Sequence, residues 1–348
     1  MYGWLASPTL HCAQSPVPRY AIKMESGNIT LFTEFILLGF SDYPELEIFL
    51  FVIVSIIYAV TLFGNISILA LTCLDSHLHT PMYFFLSNLS FLNICYTTTV
   101  VPKMLINFLA KKKTISSPLC IGQVYITLFL GAAECLLLAE MAFDRYVAIC
   151  NPLHYTTIMS KNVCISIALG TWTTSFFVSV VPTLLMWLPL CGSNVIDHLF
   201  CEVPVMLQLV CGDTSANEAM MFVGSTFTLM LPFVLILLSY VRIIVTIMSI
   251  TSADGKRKAF STCSSHITVV TIYYGTGMFM YMRPKTSYSA NRDKLISVFY
   301  SVINPMLNPI IYSLRNKDVK EALMKVMGKT KMPQGVKKSF LRGNLQAF

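Results

Sequence analysis

Seven stretches of the chain are almost wholly apolar: residues 48–74, 82–102, 119–139, 163–190, 219–241, 259–282 and 295–314. Each reaches the roughly 20 residues that carry a helix across the hydrocarbon of a bilayer. Buried core helices could account for one or two such runs, but not for seven. The pattern predicts an all-α membrane protein, a seven-transmembrane helix bundle over residues 48–314. The third and fifth helices are expected to run a few turns past these limits. Glu134 is the one charged side chain inside any of the runs.

Composition agrees. Of 348 residues, 55% are hydrophobic and 12% charged, against about 25% charged in ordinary soluble domains. Lys and Arg set the orientation. With the C-terminus inside, 15 of them fall on the cytoplasmic side and 10 outside. The N-terminus is therefore expected outside. Residues 1–47 form an extracellular segment, and 315–348 a cytoplasmic amphipathic helix and basic tail. The net charge of +8 reads as basic residues beside anionic membrane lipid. It does not gather on one domain as a nucleic-acid footprint would, so no nucleic-acid partner is expected. Residues 1–23 lack the basic-then-apolar start of a signal peptide and read as a disordered extension. Asn28-Ile29-Thr30 is a glycosylation sequon on the outer side.

Of eleven Cys, six (Cys73, Cys95, Cys135, Cys150, Cys164 and Cys263) lie in the spans or at their inner ends and read as small packing side chains. Cys120, Cys191, Cys201 and Cys211 lie on the oxidising face, where disulfides persist. Four Cys allow three pairings, and spacing does not choose among them. Three of these Cys fall in the loop 187–218, which favours a disulfide-stapled lid over the helical mouth.

Counting back from Arg145 by helical spacing reaches Leu138, Glu134, Gly131 and Thr127, all on one face. That face looks into the bundle, because Glu134 cannot face lipid. Small Gly131 and Ala132 leave room for a cavity, and equally for close helix packing. Asn304-Pro305 and Asn308-Pro309 place two proline steps in the last span. There a freed carbonyl must find a neighbour, either as a fixed kink or as a hinge. The sixth run opens on Lys256-Arg257-Lys258 and carries Ser261, Thr262, Ser264, Ser265 and His266. That polar half needs polar partners, and His266 itself reads first as a hydrogen-bonded packing residue. No catalytic set, glycine-rich phosphate loop or metal-binding spacing is present, so neither an enzyme nor a cofactor is expected. A channel or transporter would need repeats or charged pathways, and neither is seen.

These features resemble the rhodopsin-like G-protein-coupled receptors, and within them the vertebrate olfactory receptors. The broad pattern lies in Gly64-Asn65, Cys120, Asp144-Arg145-Tyr146, Trp172, Pro232, Tyr240 and Asn308-Pro309-x-x-Tyr312. The narrower one lies in residues 78–96, 141–155, 239–240, 258–266 and 305–319, so the resemblance covers about 28–322. It implies that Asp144 holds Arg145 at rest and releases it to a Gα C-terminus. Tyr146, Tyr240, Lys258, His266, Asn308, Pro309 and Tyr312 form the switch around it. It implies bridges Cys120–Cys201 and Cys191–Cys211. It also implies an odorant pocket with Tyr274 as its floor. Thr127, Leu128, Gly131, Ala132, Gly277, Met278 and Tyr281 would line it, with Val203, Gly224, Ser225, Thr228, Val298 and Ser301 around them.

The chain departs from that pattern in three places. Asn93 stands where an Asp is usual, so a buried ion site made with Glu134 loses a carboxylate. Glu140 adds a charge one turn before Asp144. The first 23 residues precede the usual start near Met24. The stretch His198–Glu202 could suit a metal only if Cys201 were a free thiolate, and no metal site is expected. The resemblance implies an odorant receptor in the plasma membrane of olfactory cilia. It would couple to a stimulatory olfactory-type heterotrimeric G protein that raises cAMP, with a receptor-transporting chaperone as a further partner. Thr127 stands where an amine receptor would need a carboxylate, so the ligand is expected to be a small, neutral or weakly polar volatile. A receptor for an endogenous metabolite shares the fold and differs in tissue. A transporter is disfavoured by Asp144-Arg145-Tyr146.

Overall fold

The computed structural model describes residues 32–184, 193–210, 215–281, 290–315 and 317–326. Seven long helices form the bundle. They are α1 (Pro44–Leu74), α2 (Pro81–Leu109), α3 (Ser117–Cys150), α4 (Lys161–Leu184), α5 (Ser215–Ser249) and α6 (Ala253–Tyr281), followed by α7. The last runs in three pieces: Ala290–Val298, a π-helical turn Phe299–Ile303, and Asn304–Arg315. A further helix, α8 (Lys317–Val326), follows and buries Val319 and Ala322.

Six described helices are long and apolar enough to cross a membrane. The remaining bundle member, α6, is as long as α2, at 29 residues. Its polar first half, from Lys256 to His266, lowers its mean hydropathy. It is held by packing between α5 and α7. The seven-run pattern therefore counted it correctly where composition alone would not.

Local chemistry sets the helix ends. Pro44, Pro81 and Pro118 sit in the first turns of α1, α2 and α3, where a missing N–H costs nothing. Helix α1 thus starts four residues before its apolar run, with Glu45 and Glu47 in its first turn. Asn151-Pro152 stops α3, because the residue before a proline leaves the α region.

The bundle inverts the arrangement of a soluble protein. Ile48, Phe63, Phe227 and Val245 are exposed on its outside, whereas Asn65, Asn93, Glu134 and Asn308 are buried. That distribution suits a hydrocarbon solvent. Of the six helices apolar enough to cross a membrane, α2 and α3 are the most buried and α1 the least. Gly64 of α1 lets α7 approach: a Cβ there would stand 2.9 Å from Pro309 Cγ.

A small sheet was not anticipated. Strand β1 (Glu34–Leu37) lies between β2 (Thr114–Ser116), antiparallel, and β3 (Val195–Ile196), parallel. Its strands have two to four residues, too short for alternation to register. Phe35, Leu37, Ile115 and Ile196 form its buried face. Lys113 anchors the neighbouring turn through Glu47 at 2.5 Å, both side chains largely buried.

Gly64→Val should overpack the α1–α7 contact, a change that typically costs about 1–3 kcal/mol. A lower thermal midpoint of the solubilised protein is expected. Gly170→Val is the control, because nothing lies within 4 Å of a Cβ at that site, and it should change little.

Candidate functional site

A cavity of about 250 Å³ opens within the bundle, lined by α2 (through Tyr96), α3, α4, α5, α6 and α7, near the lower end of small-molecule pockets. Thr127, Leu128, Gly131 and Ala132 line it from α3, Gly224, Ser225 and Thr228 from α5, and Gly277 from α6. These eight were expected. Glu134, expected only as an ion-site residue, also reaches its wall. The surroundings of Gly131 fit the cavity reading, since a Cβ there would come within 4 Å of Tyr273 Oη alone, at 3.9 Å. Gly131 leaves space, and its carbonyl accepts a 2.7 Å hydrogen bond from Tyr273 Oη.

Other expected residues lie elsewhere. Tyr274 is not the floor: it is buried, donates to the Cys135 carbonyl at 3.0 Å and packs on Phe233. Tyr273 faces the cavity in its place. The signal was available in His266, which must face inward; steps of 7, 10 and 11 from it reach Tyr273, Thr276 and Gly277, all lining residues. Met278 packs on the core instead. Val203 is buried in the lid beside Cys120 and Phe35.

On α7 the π-helical turn is the reason for the miss. Each such turn takes more residues than 3.6, so counting by the ordinary period drifts. Tyr300 lines the cavity. Ser301 is buried and donates to Ser297 O at 2.5 Å, and Val298 packs on the core. The α4 wall of Val178, Ser179 and Pro182 was also missed. Its sign was a stripe of hydroxyls at Thr171, Ser175, Ser179 and Thr183, all buried. The side chains of Tyr281 and Lys258 lie outside the described residues, as do Asn28, Cys191, Cys211 and residues 1–23.

The lid is stapled. Cys120 and Cys201 are bonded, which removes the thiolate that a metal at His198–Glu202 would need. Gln123, one turn along α3, donates to Thr99 O of α2 at 3.0 Å and accepts from Cys201 N at 2.9 Å. His198 Nε2 stands 3.1 Å from Glu202 Oε1, and Tyr300 Oη donates to the other oxygen of Glu202. The lid therefore meets a residue that also lines the cavity.

Glu134 also joins a polar chain across the bundle. Asn308 Nδ2 lies 3.4 Å from both Glu134 Oε1 and Asn93 Oδ1. Asn93 Nδ2 donates to Asn65 Oδ1 at 3.4 Å, and Asn65 Nδ2 to the Pro305 carbonyl at 3.3 Å. Asn65 thus meets the α7 backbone beside its proline steps. This donor set fits a metal cation poorly. It offers one carboxylate, and its two central amides turn N–H groups toward their neighbours' oxygens, where a cation needs oxygens alone.

Beyond the chain lie the residues expected to switch. Asp144 is fully buried; its Oδ1 accepts from Tyr155 Oη at 2.7 Å, and its Oδ2 stands 3.1 Å from Arg145. Desolvation is the largest cause raising the Tyr155 pKa, with the Asp144 charge adding to it, so this phenol stays a donor. His266 bridges Tyr240 Oη at 2.8 Å and the Leu138 carbonyl at 3.0 Å. A carbonyl only accepts, so Nε2 carries the hydrogen and Nδ1 receives the tyrosine O–H. One imidazole thereby joins α3, α5 and α6. Tyr312 is buried, and its hydroxyl has no hydrogen-bond partner among the described residues. Tyr146 packs against Phe143.

The comparisons are consistent. The family pattern described as olfactory receptor matches residues 54–330. Human olfactory receptor 2G6 is 51% identical over 301 residues, covering 86% of this chain and 95% of that protein. Mouse olfactory receptor 5M5 is 49% identical over 308 residues, covering 88% and 96%. Squid rhodopsin shares the fold with a TM-score of 0.66 at 19% identity, over 82% of this chain and 86% of that one.

Asn93→Asp should convert the polar chain into a cation site. Sodium, compared with choline at equal ionic strength, is expected to raise the thermal midpoint of the variant by about 2–4 °C, roughly 1 kcal/mol of linked binding. The parent should respond by less than a quarter of that. An equal response in both would show that the second carboxylate is irrelevant.

Proposed function

The chain belongs to the olfactory receptor family of multi-pass G-protein-coupled receptors, and on that footing we propose that it detects small, neutral or weakly polar volatiles in the cavity beneath the lid. Binding raises cAMP through a stimulatory olfactory-type G protein that docks at the end of the bundle carrying Arg145. The plasma membrane of olfactory cilia is the proposed site of action, with the N-terminus outside.

One observation carries the ligand class. Four of the cavity's hydroxyls already donate their hydrogens to backbone carbonyls. Thr127 donates to Gln123 O at 2.8 Å, Ser179 to Ser175 O at 2.9 Å, Thr228 to Gly224 O at 2.9 Å and Thr276 to Ile272 O at 2.8 Å. They retain lone pairs and offer a ligand acceptors. Leu128, Ala132, Val178 and Leu229 make much of the remaining wall apolar, with Glu134 and Ser225 among its polar members. A compact molecule with an apolar body and a single O–H or N–H donor fits that chemistry. A multiply charged one would meet too few partners.

Signalling follows from differential affinity. A ligand shifts the resting–active equilibrium only as far as it prefers one state. The cavity wall contains Tyr273 and Gly277 of α6, and His266 lies two turns along the same helix. A ligand that favours a displaced α6 therefore acts against the Tyr240–His266–Leu138 joint and on the pair Asp144–Arg145.

A cAMP-reporter assay over a broad volatile panel tests this reading, with at least one low-molecular-weight alcohol or related donor expected among the agonists. Gly131→Leu fills the cavity and should move the agonist midpoint right by about tenfold or more, the equivalent of roughly 1.4 kcal/mol, at equal surface expression. Arg145→Ala should leave expression intact and abolish the cAMP response. A normal response in surface-matched Arg145→Ala cells would overturn the coupling role.

A further inference from the structure

A second cavity, of about 440 Å³, lies on the outer flank of the bundle between α3, α4 and α5. It is separate from the ligand cavity, and the two share no lining residue. Its walls are apolar, with Phe85, Leu136 and Ile167 toward the core and Phe143, Leu235 and Leu238 toward the surroundings. Those last three are exposed on the lipid-facing side, so an occupant arrives from the hydrocarbon.

Two groups of opposite sign sit in this apolar wall, Glu140 and Arg242. Glu140 Oε1 accepts from Thr171 Oγ1 of α4. Its Oε2 is buried and has no hydrogen-bond partner among the described residues. A buried carboxylate oxygen left without a donor is costly, and the deficit is largest in a membrane, where water does not supply one. Arg242 is exposed on α5, and no ion pair involves its guanidinium among the described residues. Arg145 and Arg242 mark the level at which this end of the bundle meets charged head groups.

We propose that this flank is a binding site for an aminophospholipid of the surrounding bilayer. The primary ammonium of its head group donates to Glu140 Oε2, and its phosphate accepts from Arg242. The acyl chains lie along Phe143, Leu235 and Leu238. Cys150 and Thr246 meet at 3.2 Å, so Glu140, ten residues back along α3, lies deeper than Arg242, four back along α5, and the ammonium turns inward past the phosphate to reach it. The site discriminates by chemistry: phosphatidylethanolamine has N–H donors, whereas phosphatidylcholine carries the same charge and phosphate on a trimethylated nitrogen with none. Tyr146 also lines this cavity, so an occupied site abuts the residue that follows Arg145.

Purified full-length protein, delipidated and then exposed to equal phosphatidylethanolamine and phosphatidylcholine of identical acyl chains, tests the assignment by native mass spectrometry. Phosphatidylethanolamine should be retained about tenfold better, the discrimination expected of one charge-assisted hydrogen bond. Glu140→Gln should abolish that preference, and Arg242→Gln should reduce retention of both lipids. Leu235→Trp, which fills the pocket without touching either charge, should displace both while the thermal midpoint shows the protein folded. Equal retention of the two lipids by the parent, or an unchanged preference in Glu140→Gln, overturns the proposal. The readout is lipid retention alone, so its failure leaves the odorant reading untouched.

Discussion

Within a bilayer no water relieves an unpaired polar group, and this constraint organises the molecule. Asn65, Asn93, Glu134 and Asn308 come from four different helices and lie buried at the bundle centre. None could face lipid, so each must find its partners in the others. That requirement draws α1, α2, α3 and α7 to one axis and fixes their rotation. The same logic explains the outer surface, where large apolar side chains remain exposed because their solvent is hydrocarbon. Gly64 against Pro309 is the steric side of the arrangement: α1 approaches α7 closely enough for Asn65 to reach the Pro305 carbonyl.

The two ends of the bundle then differ in how they are finished. At the lid end, one covalent bond and one amide hold the loop. Cys120–Cys201 sets where the lid meets α3, and Gln123 ties that point to α2. The three-stranded sheet adds the segment around Phe35 to the same assembly. At the other end there is no covalent tie among the described residues. Asp144, Arg145, Tyr155, Tyr240 and His266 are joined by hydrogen bonds and charge alone, and such contacts can exchange. A rigid mouth and a re-packable base suit a protein that must hold a ligand at one end and change shape at the other.

The bundle was legible because a membrane span is a long, simple signal. Even α6, the least apolar member, showed as a run. The α3 face was legible for a related reason: a single Glu134 fixes which way an otherwise ambiguous helix must turn. Residue-level placement failed where the period changed or where one step decided the face. Tyr300 against Ser301 is lost in the π-helical turn, which no 3.6-residue count anticipates. Tyr273 against Tyr274 is a single step of about 100° that the inward-facing His266 resolves. The sheet left no trace, because strands of two to four residues are too short to show a period. The outer flank carried a clue in Glu140, an acid out of place near a lipid boundary, but its meaning required the α4 and α5 walls.

The joint at His266 has a consequence for the form of the response. One ring supplies both bonds, to Tyr240 on α5 and to the Leu138 carbonyl on α3. Displacing α6 strains both contacts at once, because the two nitrogens are fixed in one rigid ring. Their loss is therefore coupled, which makes intermediate positions of α6 costly. A population of such molecules answers a rising ligand concentration by converting more individuals, not by moving each one a little further. The smooth gradation of a dose–response curve is then a census of discrete molecules, and a partial agonist is one that converts fewer of them.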